Sequence, residues 1–302
     1  MRLFQVLDAQ GHIRPGALVG GDALVATTGQ AGFATTLDLL TAVDHDGLDL
    51  AGWFEAQRRD GATVSVDWSA LERVGRADGY TLAIPIVPPE VWGAGVTYRR
   101  SADFREEGLG IYDKIYEAPR PELFFKATAS RSAGPHAPIG RRRDSEFTAA
   151  EPEVCVVVSH GGAILGYTLA NDVSAWDIER DNPLYLPQSK VYDGCFSCGP
   201  TIVTPDEIAD PYAIDVTMTV YRFPKPGMTT EVFKGSASTS QLKRKLPDLV
   251  EWLRKSNAVP TGTILSTGTG IIQPLGSGLE PGDIVTISSP QLGTLSNPVA
   301  FV

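Results

Sequence analysis

At 302 residues, 42% hydrophobic and 21% charged, the chain has the balance of a soluble globular protein and can bury a core without cross-links. Its formal net charge of −10 excludes the basic footprint that nucleic-acid binding needs and offers no attraction to an anionic membrane surface. The N-terminus has no signal-like apolar stretch, no run approaches the roughly 18 apolar residues of a membrane span, and three cysteines fit a reducing compartment, so a cytoplasmic protein is expected.

Residues 1–85 mix short strand-like pieces with helical ones at 36–43 and 68–74, and Gly20-Gly21, Gly29 and Gly32 mark turns. Residues 84–89, with Pro85, Pro88 and Pro89, are stiff and cannot be helical, so they read as a linker to a main domain at 86–302. Residues 102–120 form a long charged loop of the kind that often serves as a lid. Runs at 154–158, 163–170, 214–221 and 284–288 are rich in β-branched residues and bounded by Gly, Pro or Asp, which predicts strands. Residues 242–253 place Leu242, Leu246, Leu249, Val250 and Leu253 on one helical face. Pro247 should divide that helix in two, the second piece starting near it. The fold class read from this pattern is α+β, mostly β, with a small α/β N-terminal domain.

Cys195 and Cys198 form a C-x-x-C, but Gly199-Pro200 follows where a redox pair would open a helix. One such pair also supplies two of the four ligands of a structural zinc, so these cysteines, with Cys155, are read as core packing. His136 and His160 sit in loop-like segments and are read as surface residues.

Glu151-Pro152-Glu153 opens the run 154–158. Residues two apart on a strand share a face, so Glu151 and Glu153 point the same way. Ser159-His160-Gly161-Gly162 is a turn, and the run 163–170 returns as the second arm of a hairpin. With the turn at Gly161-Gly162, His160 lies opposite Ala163 and Asp172 falls opposite Glu151. Three carboxylates gathered this way repel one another unless a cation joins them. Hard oxygen donors suit Mg²⁺, with Mn²⁺ or Ca²⁺ as alternatives. The other reading is a solvated acidic sheet end with Arg141, Arg142 and Arg143 as counter-ions.

Four motifs in order resemble the fumarylacetoacetate hydrolase superfamily over residues 90–302. They are Pro121-Glu122-Leu123-Phe124-Phe125-Lys126; Glu151-x-Glu153 with Gly166-Tyr167-Thr168-Leu169-Ala170-Asn171-Asp172-Val173-Ser174-Ala175; Ser189-Lys190 with Gly199-Pro200; and Ser266-Thr267-Gly268-Thr269-Gly270 with Leu279-Glu280-Pro281-Gly282-Asp283. The resemblance implies a β-roll catalytic domain, a homodimer or homotetramer, and Mg²⁺ or Mn²⁺ on Glu151, Glu153 and Asp172. It also implies that Lys190 lies near metal and substrate and that Thr269 contacts the substrate carboxylate. Members that hydrolyse C–C bonds carry a His before the lid to activate water. Ser101 stands in that place here, and serine is no general base near neutral pH.

Ser101, the Glu122 of the P-E-L-F-F-K segment and the short spacing from Glu153 to Asp172 resemble a branch that dehydrates 2-keto-3-deoxy sugar acids. The expected substrate is therefore a small 2-keto acid, a 2-keto-3-deoxypentonate, and the product 2,5-dioxopentanoate. Glu122 and Lys190 are jointly the expected acid and base. Thr269, Lys190 and Ser101, with the loop hydroxyls of Ser130 and Ser197, are candidate substrate contacts, and Arg105 on the lid would reach the sugar hydroxyls. The alternatives are hydrolysis of a 2,4-diketo acid and a non-catalytic binder that keeps the metal site.

Overall fold

Short β-branched runs separated by Gly, Pro and Asp make most of this chain extended. The structure is a computed structural model describing residues 1–27, 33–99 and 111–302, with backbone alone at 111–113. The calls on Ser101 and Arg105, and the first half of the expected lid, lie outside the described residues.

In the N-terminal part, β1 (Arg2–Leu7), β2 (Ile13–Val19), β3 (Asp22–Ala26) and β4 (Thr63–Val66) are antiparallel neighbours. A small hairpin, β5 (Arg76–Ala77) and β6 (Tyr80–Leu82), joins the end of β1. Helices Thr36–Asp46, Leu50–Arg59 and Trp68–Val74 flank these strands. The first runs three residues past the expected 36–43, because its ends are specified by side chains outside the apolar pattern. Thr35 and Asp38 form a capping box, and Gly47 closes the helix at φ 67°.

The remainder supplies β7 (Val91–Gly95), β8 (Glu122–Ala127), β9 (Ser132–Ala133), β10 (Ile139–Arg141), β11 (Thr148–Ala149), β12 (Pro152–Val158), β13 (Ile164–Asp172) and β14 (Ser174–Ala175). It continues with β15 (Phe196–Val203), β16 (Asp215–Lys225), β17 (Met228–Ser238), β18 (Thr263–Ser266), β19 (Ile284–Ser289) and β20 (Gly293–Phe301). Among the described residues one large sheet runs β4-β3-β2-β1-β15-β13-β12-β18-β7-β8, so the N-terminal strands continue directly into the main sheet. A second sheet runs β10-β20-β19-β16-β17, and β11 pairs with β14.

Strand β12 is buried along its whole length, which explains its continuous apolar run. Val154, Val156 and Val158 pack with Met218, Val220, Val285 and Ile287 of the second sheet. Cys155 and Val157 pack on the other side with Leu39, Leu40 and Phe54 of the N-terminal helices. By alternation Glu153 continues the Cys155–Val157 face.

The β12–β13 register is the expected one where it matters. Glu153 pairs with Ala170 and Pro152 with Asn171, and one step further the Asp172 N–H donates to the Glu151 carbonyl at 2.9 Å. The turn differs: Ser159 N–H donates to the Ala163 carbonyl, and a bulge at Val157/Val158 absorbs the offset. His160 therefore does not face Ala163.

The expected two-piece helix at 242–253 is one helix, Leu246–Arg254, with Pro247 in its first turn and Leu246, Leu249, Val250 and Leu253 buried. Proline lacks an N–H and is tolerated only there. Leu242 instead makes a β-bridge with Tyr98. The three cysteines are buried free thiols, and burial pushes the Cys155 and Cys198 thiols up, as packing cysteines require. His160 is exposed, but His136 is half-buried, its Nε2 3.0 Å from the Glu72 carbonyl. With its own N–H on the Ser296 carbonyl of β20, it links helix Trp68–Val74 to the second sheet, a contact between segments 64 residues apart that loop composition does not reveal.

Candidate metal and active site

The end of β12, the end of β13 and the segment before β12 deliver Glu153, Asp172 and Glu151 to one point. One carboxylate oxygen from each lies within 4.8 Å of the others. All three are buried, at 3%, 1% and 3% exposure for Glu153, Asp172 and Glu151. The reading of a solvated acidic sheet end fails on that burial. The arginines fail as counter-ions too: Arg141 pairs with Glu280 and Arg142 with Asp144, at the surface.

The counter-ions are two buried lysines. Helix Leu186–Lys190 ends on Lys190, whose Nζ lies 3.0 Å from Glu151 Oε1, 3.1 Å from Asp172 Oδ2 and 2.7 Å from Ser174 Oγ. Lys126 comes from β8. Its Nζ lies 2.6 Å from Asp172 Oδ1 and donates to the carbonyls of Val173 at 2.9 Å and Lys190 at 2.6 Å. The two lysines thus take different oxygens of Asp172.

The other carboxylates are aimed by fixed donors. Trp176 Nε1 donates to Glu151 Oε1 at 2.6 Å. Ser266 Oγ at 2.5 Å and Gly268 N–H at 2.6 Å donate to Glu153 Oε2. Gly268 can present its N–H because it sits at φ 94°, and a Cβ there would meet Thr97 Oγ1 at 1.9 Å. Burial, then the charges of Asp172 and Glu151, push the Glu153 carboxyl up to about 8 against the pull of these donors.

A bound cation would hold Glu153 ionised, and three ionised carboxylates against two ammonium groups then carry one formal negative charge. Three converging hard oxygen donors with that residual charge fit a divalent cation such as Mg²⁺. Around the triad a small cleft is lined by Gly95, Val96, Glu122, Phe124, Leu186, Lys190 and Thr269 among others. The structure therefore gathers Glu122, Glu151, Glu153, Asp172, Lys190 and Thr269 at one site.

Two expected contacts are not there. Ser130 lies exposed in a 3₁₀ turn and shares its hydroxyl with Thr128, and Ser197 spends its hydroxyl on Asn297. Loop composition suggested both, but neighbouring polar groups claim them. Four residues escaped the sequence reading: Lys126, Ser174, Trp176 and Ser266. Lys126, Ser174 and Ser266 were marked only by their places within the family-like motifs; nothing in the sequence marks Trp176.

Comparisons with known proteins agree with this geometry. The family described as fumarylacetoacetate (FAA) hydrolase, C-terminal, matches residues 90–300. The chain is 44% identical over 243 residues to a 2-dehydro-3-deoxy-D-arabinonate dehydratase of Saccharolobus solfataricus, covering 78% of this chain and 80% of that one. It is 41% identical over 251 residues to a probable 2-keto-3-deoxyxylonate dehydratase of Haloferax volcanii, covering 80% and 85%. A solved 2-keto-3-deoxy-D-arabinonate dehydratase, complexed with magnesium and 2,5-dioxopentanoate, superposes with a TM-score of 0.84 at 36% identity, covering 100% of this chain and 99% of that one.

Proposed function

Because the chain belongs to the fumarylacetoacetate hydrolase family, we propose that it is a Mg²⁺-dependent hydro-lyase that converts a 2-keto-3-deoxypentonate to 2,5-dioxopentanoate and water. The observation that carries this reading is one cleft holding the buried carboxylate triad beside Glu122 and Lys190. None of the four histidines is among the described residues that line it, which favours elimination over water activation. The relatives named as dehydratases, and the solved one with magnesium and 2,5-dioxopentanoate, support the same choice.

In this proposal Glu151, Glu153 and Asp172 would hold the cation, which when bound draws electron density from the keto oxygen of a 2-keto acid and acidifies its C3 protons. Glu122 and Lys190 together carry the proton steps. One takes the C3 proton, and the other protonates the departing C4 hydroxyl, which leaves as water. The unsaturated acid then loses one proton from C5 and one from the C5 hydroxyl and gains protons at C3 and C4, leaving the C5 aldehyde. Thr269 at the cleft wall would bind the substrate carboxylate, and Ser101 and Arg105 its hydroxyls.

We extend the proposal to a cytoplasmic homodimer or homotetramer, the state the family resemblance implies, in which residues 1–85 are auxiliary and 86–302 carry the chemistry. Three unbridged cysteines support a reducing compartment.

Incubation with Mg²⁺ and 2-keto-3-deoxy-D-arabinonate should yield 2,5-dioxopentanoate. Pyruvate release from an acylpyruvate, without turnover of the sugar acid, would instead establish a hydrolase. Turnover of neither, with Mg²⁺-dependent thermal stabilisation by pyruvate analogues, would establish a binder.

A further inference from the structure

We infer that Gly95 is a positioning residue for the carboxylate of Glu122: the bare backbone of β7 decides where that carboxylate lies. The inference rests on the proposed role of Glu122 in proton transfer.

Across the β7–β8 ladder Gly93 lies opposite Phe124 and Gly95 opposite Glu122. Residues two apart share a face, so the two glycines make one stripe without side chains, and Phe124 and Glu122 make the facing stripe. A Cβ at Gly95 would lie 2.1 Å from Glu122 Oε2 and 2.7 Å from its Cδ. A Cβ at Gly93 would lie 2.4 Å from Phe124 Cζ. Side chains opposite each other on paired strands ordinarily stand side by side. Here both fold flat across the neighbouring strand, over the space that the missing Cβ atoms leave.

Neither glycine has the left-handed backbone that would itself call for glycine. A glycine in a strand interior weakens the strand and marks a site of close approach. At Gly95 the approaching group is the carboxylate that lines the cleft beside Lys190. At Gly93 it is the Phe124 ring, whose face lies 5.3 Å from Lys190 Nζ. The two gaps on β7 thus seat both members of the proposed acid–base pair, Glu122 directly and Lys190 through the ring.

The space at Gly95 is contested by the far end of the Glu122 side chain, not by backbone. Alanine there leaves the strand intact and swings the carboxylate away. Gly95→Ala should therefore melt at or above the wild-type temperature and bind Mg²⁺ within about twofold of wild type by calorimetry. Its KM for 2-keto-3-deoxy-D-arabinonate should stay within about twofold, while kcat falls about 100-fold, the effect of roughly 1 Å of misplacement. Combining it with Glu122→Gln should cost nothing further, because the displaced group is already gone.

Wild-type kcat in Gly95→Ala, with Glu122→Gln inactive, overturns the inference and leaves the function standing. Wild-type kcat in Glu122→Gln overturns the role of Glu122 itself. A Gly95→Ala protein that fails to fold, loses Mg²⁺ affinity, or when combined with Glu122→Gln falls below the activity of Glu122→Gln alone reports general distortion, and the inference falls.

Discussion

Asp172 is held from two sides, by Lys126 on Oδ1 and by Lys190 on Oδ2. Lys126 is fully buried, spends its three hydrogens on one carboxylate and two carbonyls, and is not among the described residues that line the cleft. Its task is to hold the metal-ligand candidate and the main chain of Lys190 together. Lys126→Met would remove the ammonium partner of Asp172 Oδ1 and a donor from each carbonyl, leaving Lys190 on Asp172 Oδ2 and the Tyr192 hydroxyl on the Val173 carbonyl. Removing one partner of a buried pair costs about 3–5 kcal/mol, so the variant should melt far below wild type in a thermal scan. An unchanged melting temperature would show that the contact contributes nothing net. Glu151→Gln bears on the triad itself. It should abolish Mg²⁺-dependent activity and the thermal stabilisation that Mg²⁺ provides, and an unaffected variant would remove Glu151 from the ligand set.

Secondary-structure elements place these residues with differing economy. The β12–β13 hairpin brings Glu151 and Asp172 together by register alone, and its bulge near the turn leaves the far end undisturbed. Pro247 shows the converse: an apolar face spanning residues 242–253 does not make one continuous helix where the backbone cannot donate. Helix Thr36–Asp46 covers the Cys155–Val157 face and depends on its capping box. Thr35→Ala should destabilise the protein by about 1 kcal/mol, seen as a fall of a few degrees in melting temperature, with kcat unchanged because the site lies at the strand ends. A loss of activity at full stability would show that this helix reaches the site by a route other than packing.

At the scale of the molecule, the large sheet crosses the boundary that the proline-rich segment 84–89 suggests. β1 pairs with β15 through Arg2–Val203 and Leu3–Ile202, and the helices at 36–46 and 50–59 complete the core on one face of β12 and β15. A fragment of residues 86–302 would expose the β15 edge and the apolar face carrying Cys155, Val157, Phe196 and Ile264. That fragment should aggregate or show no cooperative thermal transition. A soluble, active fragment would establish that the N-terminal residues are dispensable to the core.

Sequence alone determined the carboxylate triad, because it needs only two short-range facts: strands alternate with period two, and a turn after Val158 folds the chain back. Glu122, Lys190 and Thr269 were legible through ordered motifs, which place residue types without saying how they meet. Tertiary structure decided the rest. Lys126 reaches Val173 and Lys190 across 47 and 64 residues, and Ser266 reaches Glu153 across 113. No local periodicity encodes such contacts, and the ladder that sets Gly95 across from Glu122 leaves no trace in residue spacing. The candidate metal ligands are written along one hairpin; the charges that balance them and the space in which the proposed acid and base lie exist only where distant strands pack.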